Sequence, residues 1–343
     1  MKKLLLILLL IPFGVKAQSI DLYYGKECPF CQKEEKCLKV LKYQLKDNLK
    51  INKYEVWHNK KNNNLLTEVR NKFNDKETGV PYTVIGSKFY NGYNDEIFDK
   101  IENNILTDIK NSDGIIFPLI GKVNDDSVSK VSFLSGLSDG INLNSLWIIL
   151  FISGIMLCIY NNKKRLILSN VFLFSSFITY MIFIFSNFEL SINQTVIMRS
   201  VLAFCCILTG CVGIDSYLKI NEPKKSILQI FDEKFGKKRM LFYTLEIILI
   251  GVLVTFSLIN SAKSTPLLLK LFIERQNSSN LNLILYGLGY LITSLIILNV
   301  VNLIIKEIIM ENTIGIYSRL ISFIIMLICA ILILYVPSIF MMV

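Results

Sequence analysis

The hydrophobic pattern changes character near residue 130. From Ser19 to about Ile109, short apolar runs alternate with amphipathic stretches. "SIDLYYG" reads as a strand, Pro29 to about Lys46 as a helix, "INKYEVW" as a second strand and "NLLTEVRNKF" as a second helix. After "TGVP" come "YTVIG" and "KFYNGY", read as an antiparallel hairpin, and then "NDEIFDKIENNI", a closing helix started by Asn94 or Asp95. This β-α-β-α-β-β-α order predicts a layered α/β domain over 18–110. The polar, turn-rich "TDIKNSDG" and "FPLIGKVNDDSVSK" read as a linker, placed at 111–131.

Beyond the linker the pattern is apolar for a bilayer's width at a time. Spans centre on 133–160, 166–187, 196–217, 241–259, 281–305 and 318–336, each near the roughly 20 residues that cross a membrane. The expectation is an all-α polytopic domain of about six transmembrane helices over 132–343. "PLLLKLFI", between the fourth and fifth spans, reads as an interfacial helix.

Composition agrees with this division. The chain is 52% hydrophobic, too apolar for an ordinary soluble protein. The start, "MKKLLLILLLIPFGVKAQ", sets Lys2 and Lys3 before an apolar run and a small-residue stop near Ala17, the layout of a secretory signal peptide over 1–17. An uncleaved anchor is the alternative.

The formal charge of +10 sits on solvated faces of the first domain and in loops between spans, so it writes membrane topology and not a nucleic-acid surface. Lys163, Lys164 and Arg165 follow the first span, and Lys219, Lys224, Lys225, Lys234, Lys237, Lys238 and Arg239 follow the third. "SNFELSINQ", after the second, has no cation. Odd-numbered loops are therefore expected inside, with both termini and the first domain outside the cytoplasm. Lys263, Lys270 and Arg275 in the fourth loop depart from that rule.

Candidate chemistry begins with "KECPFCQKEEKC". Cys28 and Cys31 are three apart at the head of a helix, so their sulfurs can meet within one turn. Unpaired backbone N–H groups and the helix dipole favour an anion at Cys28, Lys26 adds positive charge nearby, and Pro29 fits the first helical position. Such a pair can exchange with a disulfide, Cys28 attacking and Cys31 resolving. Half a zinc site and a static disulfide are the competing readings; neither a second cysteine pair in this domain nor a histidine other than His58 is present to complete a zinc site. Pro81, in "TGVPYTVIG", precedes a strand, where a cis bond would present backbone groups to an extended substrate; a trans proline in a loop is the plainer reading. His58 reads as a surface residue and Cys37 as a packed thiol about half a turn round from Cys28.

"CPFC" with its preceding strand, together with "GVPYTVIG", resembles the thioredoxin/glutaredoxin fold over roughly 19–109. The segment from Phe117 to Gly154, with the helix count and spacing of 115–343, resembles the DsbD/CcdA-like transmembrane electron carriers that follow a glutaredoxin-like domain. The resemblance implies an inverted repeat of three and three helices, a bacterial inner (cytoplasmic) membrane, and thiol or disulfide partners outside the cytoplasm. It implies no cofactor beyond the redox-active disulfide and no metal.

It also implies two carrier cysteines, and here the chain departs from its relatives. The expected Asn-Pro-Cys is Asn142-Leu143-Asn144, and the expected Cys-Ser-Ala-Gly is Asn260-Ser261-Ala262-Lys263. Without sulfur at these positions the usual electron route is interrupted. Cys158, Cys205, Cys206, Cys211 and Cys329 do not reproduce a pair across the repeats and read as packing thiols.

Polar residues inside the spans mark a candidate membrane path. Asp139, Asn142 and Asn144, with Gly136 and Gly140, interrupt the first span as a broken or re-entrant helix would. Glu246 is an acid within the fourth span, a functional candidate or a group that snorkels toward the cytoplasmic edge; Asn260 lies at the end of that span, and Asn299 and Asn302 either join helices or line a route. The expected function is a membrane-anchored thiol–disulfide oxidoreductase acting through Cys28 and Cys31. The alternative is a membrane transport or assembly module with a redox-sensing or docking domain, its electron-carrier activity lost.

Overall fold

The structure, a computed structural model, describes residues 17–159, 161–186, 192–218, 239–310 and 312–340. The signal peptide read at 1–17 lies outside these residues except for Ala17, as do the second loop at 187–191 and the cationic loop at 219–238. The chain divides into two units, Met1–Phe117 with Gly121–Asp125, and Pro118–Ile120 with Asp126–Val343.

The first unit is a small α/β region. Its central strand β1 (Gln18–Tyr24) pairs in parallel with β2 (Leu49–Glu55) and antiparallel with β3 (Tyr82–Ile85). Strand β4 (Lys88–Asn91) adds to β3 through the tight turn at Gly86, where φ is +56°, a conformation that glycine adopts without a Cβ penalty. The sheet order is β2-β1-β3-β4. Pleating sends Ile20, Leu22, Thr83 and Ile85 to one face and Tyr23 and Tyr82 to the other, and all six are buried.

Three helices cover this sheet. Helix α1 (Pro29–Leu45) buries Cys31, Glu34, Leu38, Leu41 and Leu45, a stripe at the i, i+3, i+4 spacing. Helix α2 (Lys60–Lys72) is capped by Asn59 and packs Leu66 against Tyr23, Val56 and Tyr82. Helix α3 (Asp95–Lys110) starts where the Asn94 side chain accepts the Ile97 N–H at 2.7 Å, with Asp95 and Glu96 in its first turn and Lys110 in its last.

The segment read as a linker is partly structured. Helix α3 runs through "TDIK", and β5 (Ile115–Phe117) pairs antiparallel with β6 (Gly121–Val123). Ile115, Phe117 and Val123 are buried. Asn48 holds β5 from both sides of its amide: Nδ2 donates to the Ile116 carbonyl at 2.9 Å, and Oδ1 accepts the Ile116 N–H at 2.7 Å. Strands of three residues are too short to show a period.

The second unit is helical. Its first apolar stretch is broken into α4 (Val128–Gly140) and α5 (Leu143–Met156), a pair bent by 44°. Then follow α6 (Asn162–Ser186), α7 (Ile192–Leu218), α8 (Arg239–Ala262), α9 (Ser264–Arg275), α10 (Asn282–Met310) and α11 (Asn312–Phe340). Helix α4 packs along α10, α6 against α8, and α7 against α11.

The α4 and α10 backbones nearly touch. A Cβ on Gly136 would lie 2.0 Å from the Tyr286 carbonyl oxygen, and one on Gly289 would lie 2.4 Å from that of Phe133. Small residues are what permit so close an approach between membrane helices.

Five helices are long and apolar enough to cross a membrane, or six if the bent α4–α5 pair counts as one span. Their outer faces are apolar as well: on α10, Ile284, Leu288, Ile292, Ile296, Val300 and Leu303 are exposed at three- and four-residue spacing. An apolar stripe of that length has lipid as its natural solvent, and the unit fits a multi-pass membrane protein. Helix α9, read as interfacial, has 12 residues and is not among the helices long enough to cross; it buries Leu268, Leu269, Phe272 and Ile273 in this unit.

Candidate functional site

Strand β1 ends at Tyr24, and the chain turns through Gly25, whose carbonyl accepts the Cys28 N–H at 3.1 Å. Cys28 is then the N-cap of α1, in extended geometry, with Pro29 in the first turn. Its sulfur accepts the Cys31 N–H at 3.2 Å and donates weakly to the Val80 carbonyl at 3.6 Å. Both cysteines are free thiols, with 4% of Cys28 and 1% of Cys31 exposed, while Phe30 between them is 55% exposed. The pair thus lies just under the surface beside a projecting aromatic ring.

Cys31 is the more deeply set of the two. Burial, followed by the hydrogen bond with Cys28, pushes the Cys31 thiol up to about 12. A group so reluctant to ionise needs a proton acceptor before it can act as a nucleophile. One turn along α1 lies Glu34, wholly buried and close enough to Cys31 to act on it electrostatically.

Glu34 accepts a hydrogen bond from the Thr83 hydroxyl through Oε1, while its Oε2 is buried without a partner. Burial raises this carboxyl to about 7, partly offset by the Thr83 bond. A buried acid that titrates near neutrality beside a thiol is suited to take up and return a proton. Sequence reading missed Glu34 and Thr83. The signal was present for the first, as a charge on the apolar stripe of α1; the second depends on the register of β3.

Pro81 follows Val80 through a cis peptide bond, directly before β3, and the preceding carbonyl is the one that meets Cys28. The structure therefore brings Cys28, Cys31 and Pro81 together. His58 is exposed, with Nε2 at 3.0 Å from Glu27 Oε2; this bond raises the His58 imidazole and lowers the Glu27 carboxyl, each by stabilising its charged form. Cys37 is half-buried and meets the Tyr93 hydroxyl at 3.3 Å.

In the helical unit Asp139, the last but one residue of α4, is 6% exposed and surrounded by donors. Tyr286 Oη donates to its Oδ2 at 2.5 Å; Thr265 Oγ1 and Asn142 Nδ2 donate to its Oδ1, each at 3.0 Å. Tyr180 Oη lies 3.0 Å from the Ala262 carbonyl oxygen, 2.9 Å from Tyr286 Oη and 3.5 Å from Asp139 Oδ2. A cavity of about 30 Å³ adjoins the carboxylate, lined by Asn142, Ser145, Ser176, Tyr180, Thr255 and Tyr290 among others.

The other expected path residues do not all join this site. Asn144 is in the first turn of α5 and Asn260 in the last turn of α8, next to residues that line the cavity, but their side chains fall outside the described ones. Glu246 is at an exposed position two-thirds of a helix away from Ala262 on α8, apart from the cavity lining. Asn299 bonds back to its own helix at Leu295, and Asn302 joins α10 to α6 by donating to Ser169 Oγ at 2.8 Å. Cys206 and Cys329 are fully buried in the apolar core of this unit.

Tyr180, Thr265 and Tyr286 were not singled out by sequence, since hydroxyl groups are common in apolar spans and only the packing of α6, α9 and α10 reveals their target. Compared with protein-family models, with curated proteins and with solved structures, the chain matches none.

Proposed function

We propose that the chain is a membrane-anchored thiol–disulfide oxidoreductase whose first unit has a thioredoxin-like fold and acts outside the cytoplasm on protein or small-molecule disulfides. What carries the reading is the Cys28–Cys31 pair at the start of α1, with the Val80 carbonyl at 3.6 Å from Cys28 and Glu34 buried one turn beyond Cys31. The parallel β1–β2 pair and the antiparallel β1–β3–β4 edge support the fold assignment.

The chemistry follows from this geometry. Cys28, as thiolate, attacks one sulfur of a client disulfide; that S–S bond breaks, a mixed disulfide forms and the first client sulfur leaves as a thiolate. Cys31 passes its proton to Glu34 and attacks Cys28 Sγ, expelling the second client sulfur. Two electrons have moved to the client, and the pair is left as a disulfide. The same steps run backwards when the pair oxidises a dithiol.

The helical unit anchors this centre, with the family's electron-carrier activity lost along with the sulfur at Asn144 and Asn260. An inverted repeat of three and three helices is consistent with its packing: exchanging α4 with α8, α6 with α10 and α7 with α11 turns the α4–α10 contact into α8–α6 and returns α7–α11 to itself. The donor cage around Asp139 favours a second reading, in which this unit is a transport module and the first unit senses redox state or docks partners.

The deciding experiment is disulfide reduction by the full-length chain in lipid nanodiscs. Cys28→Ser is expected to abolish turnover, Cys31→Ser to accumulate a mixed disulfide, and Cys37→Ser to retain the rate. Full activity in Cys28→Ser sinks the oxidoreductase reading.

A further inference from the structure

Two helix breaks face one cavity in the helical unit. Helix α4 ends at Gly140 just before α5 begins, and α8 ends at Ala262 just before α9 begins at Ser264. Within a membrane, interrupted backbone is tolerated where it is enclosed by protein and lines a cavity. The starting helices supply donors to Asp139, through Asn142 before α5 and Thr265 in the first turn of α9. The ending helices present the carboxylate of Asp139 and the carbonyl of Ala262, at the negative ends of two helix dipoles.

Four of the hydroxyl groups around the cavity have their protons committed. Ser145 donates to the Asp139 carbonyl at 2.8 Å, Ser176 to the Gly251 carbonyl at 3.1 Å, and Thr255 to the same carbonyl at 2.9 Å. Tyr180 directs its single proton among the Ala262 carbonyl, Tyr286 Oη and Asp139. What these groups can offer an occupant is oxygen lone pairs. Beside the Asp139 carboxylate, these oxygens disfavour an anion and suit a hard cation.

Charge and size narrow the class. Asp139 is the one carboxylate among the lining residues, and no ion pair to it is found among the described residues, so the formal charge to be matched is a single negative one. Three donors meet it at 2.5, 3.0 and 3.0 Å, none of them a cation, and a buried carboxylate in a membrane unit calls for compensation. The volume of about 30 Å³ accommodates a water-sized occupant.

We propose that this cavity binds one small monovalent cation of sodium size, held by the Asp139 carboxylate and by oxygens of Ser145, Ser176, Tyr180 and the Ala262 carbonyl. Broken helices that bring carbonyl ends to an ion are a general membrane-protein solution to cation binding. The site involves no thiol and stands apart from the chemistry at Cys28.

The test is saturable ²²Na⁺ binding by the full-length chain in nanodiscs, with its melting temperature followed in sodium, potassium and choline chloride at equal ionic strength. Expected are binding that saturates near one ion per chain, a melting temperature higher in sodium than in choline, loss of both in Asp139→Asn, and at least tenfold weaker binding in Ser176→Ala. If Asp139→Asn does not fold, Ser145→Ala with Ser176→Ala decides by the same loss. Absence of saturable sodium binding in the folded wild type overturns the proposal, including the case where only proton uptake is measured. Binding unchanged in the folded variants overturns it too, by placing the ion elsewhere.

Discussion

Glu34 is a carboxyl group on a stripe of α1 otherwise made of Cys31, Leu38, Leu41 and Leu45. Its ordinary value of 4.5 is raised to about 7 by burial. Between those values the folded chain keeps a proton that the unfolded chain has released, so stability falls as pH rises through the window. Above it the full penalty applies, on the order of 3 kcal/mol. Glu34→Gln is therefore expected to flatten the pH dependence of the first unit's stability between about pH 4.5 and 7 and to raise its stability on the alkaline side. In a Trp147→Phe background the fluorescence of Trp57 reports this unit alone, and an unchanged pH profile there contradicts the assignment. The same substitution is expected to slow resolution, so that the Cys28 mixed disulfide persists longer at neutral pH in trapping experiments. The anomaly at Glu34 was legible in the sequence as a charge at a core spacing. Its meaning was not, because Thr83 reaches it only through the pairing of β3 with β1.

At the scale of elements, legibility followed length and capping. Helices α1 and α3 announce themselves by long apolar stripes and by Cys28-Pro29 and Asn94-Asp95 at their starts. The β5–β6 hairpin does not, since each strand has three residues and its anchor, Asn48, is 68 residues away from Ile116. Removing that anchor tests its weight: Asn48→Ala leaves the Ile116 N–H and carbonyl without their partner, which costs about 1–3 kcal/mol. The expected sign is faster proteolytic cleavage within 111–125 together with an unchanged rate of disulfide reduction. Cleavage at the wild-type rate shows that the hairpin is held by its apolar side chains alone. For α9 periodicity does not decide, because a mostly apolar helix of 12 residues looks the same in sequence whether it lies on a membrane or inside a bundle.

For the whole molecule, sequence gives the apolar lengths and the charged loops but not which helices meet. The contact of Asp139 with Tyr286 spans 147 positions, and nothing local foretells it. The number of crossings rests on the bent α4–α5 pair. Counted as one span, it gives an even number and sets the first unit and the C-terminus on the same side of the membrane. Alkaline phosphatase fused after Val343 is then expected to be active, and green fluorescent protein at the same place dark, with the first unit open to an external protease. Opposite sides for the two ends require five crossings, with α4 and α5 both dipping in and out.

The backbone contact at Gly136 and Gly289 sets a mechanical limit on the helical unit. A seam with no side chains between its two walls has nothing to slide on and no slack to release, so α4 and Tyr286 move as one piece. Any gate to the chamber beside Asp139 has to turn on the joints at Ile141 and Lys263, where the helical ladder is already interrupted. Widening the seam with Gly289→Val is expected to loosen the jaw rather than open the gate, read as a lower melting temperature of the whole unit.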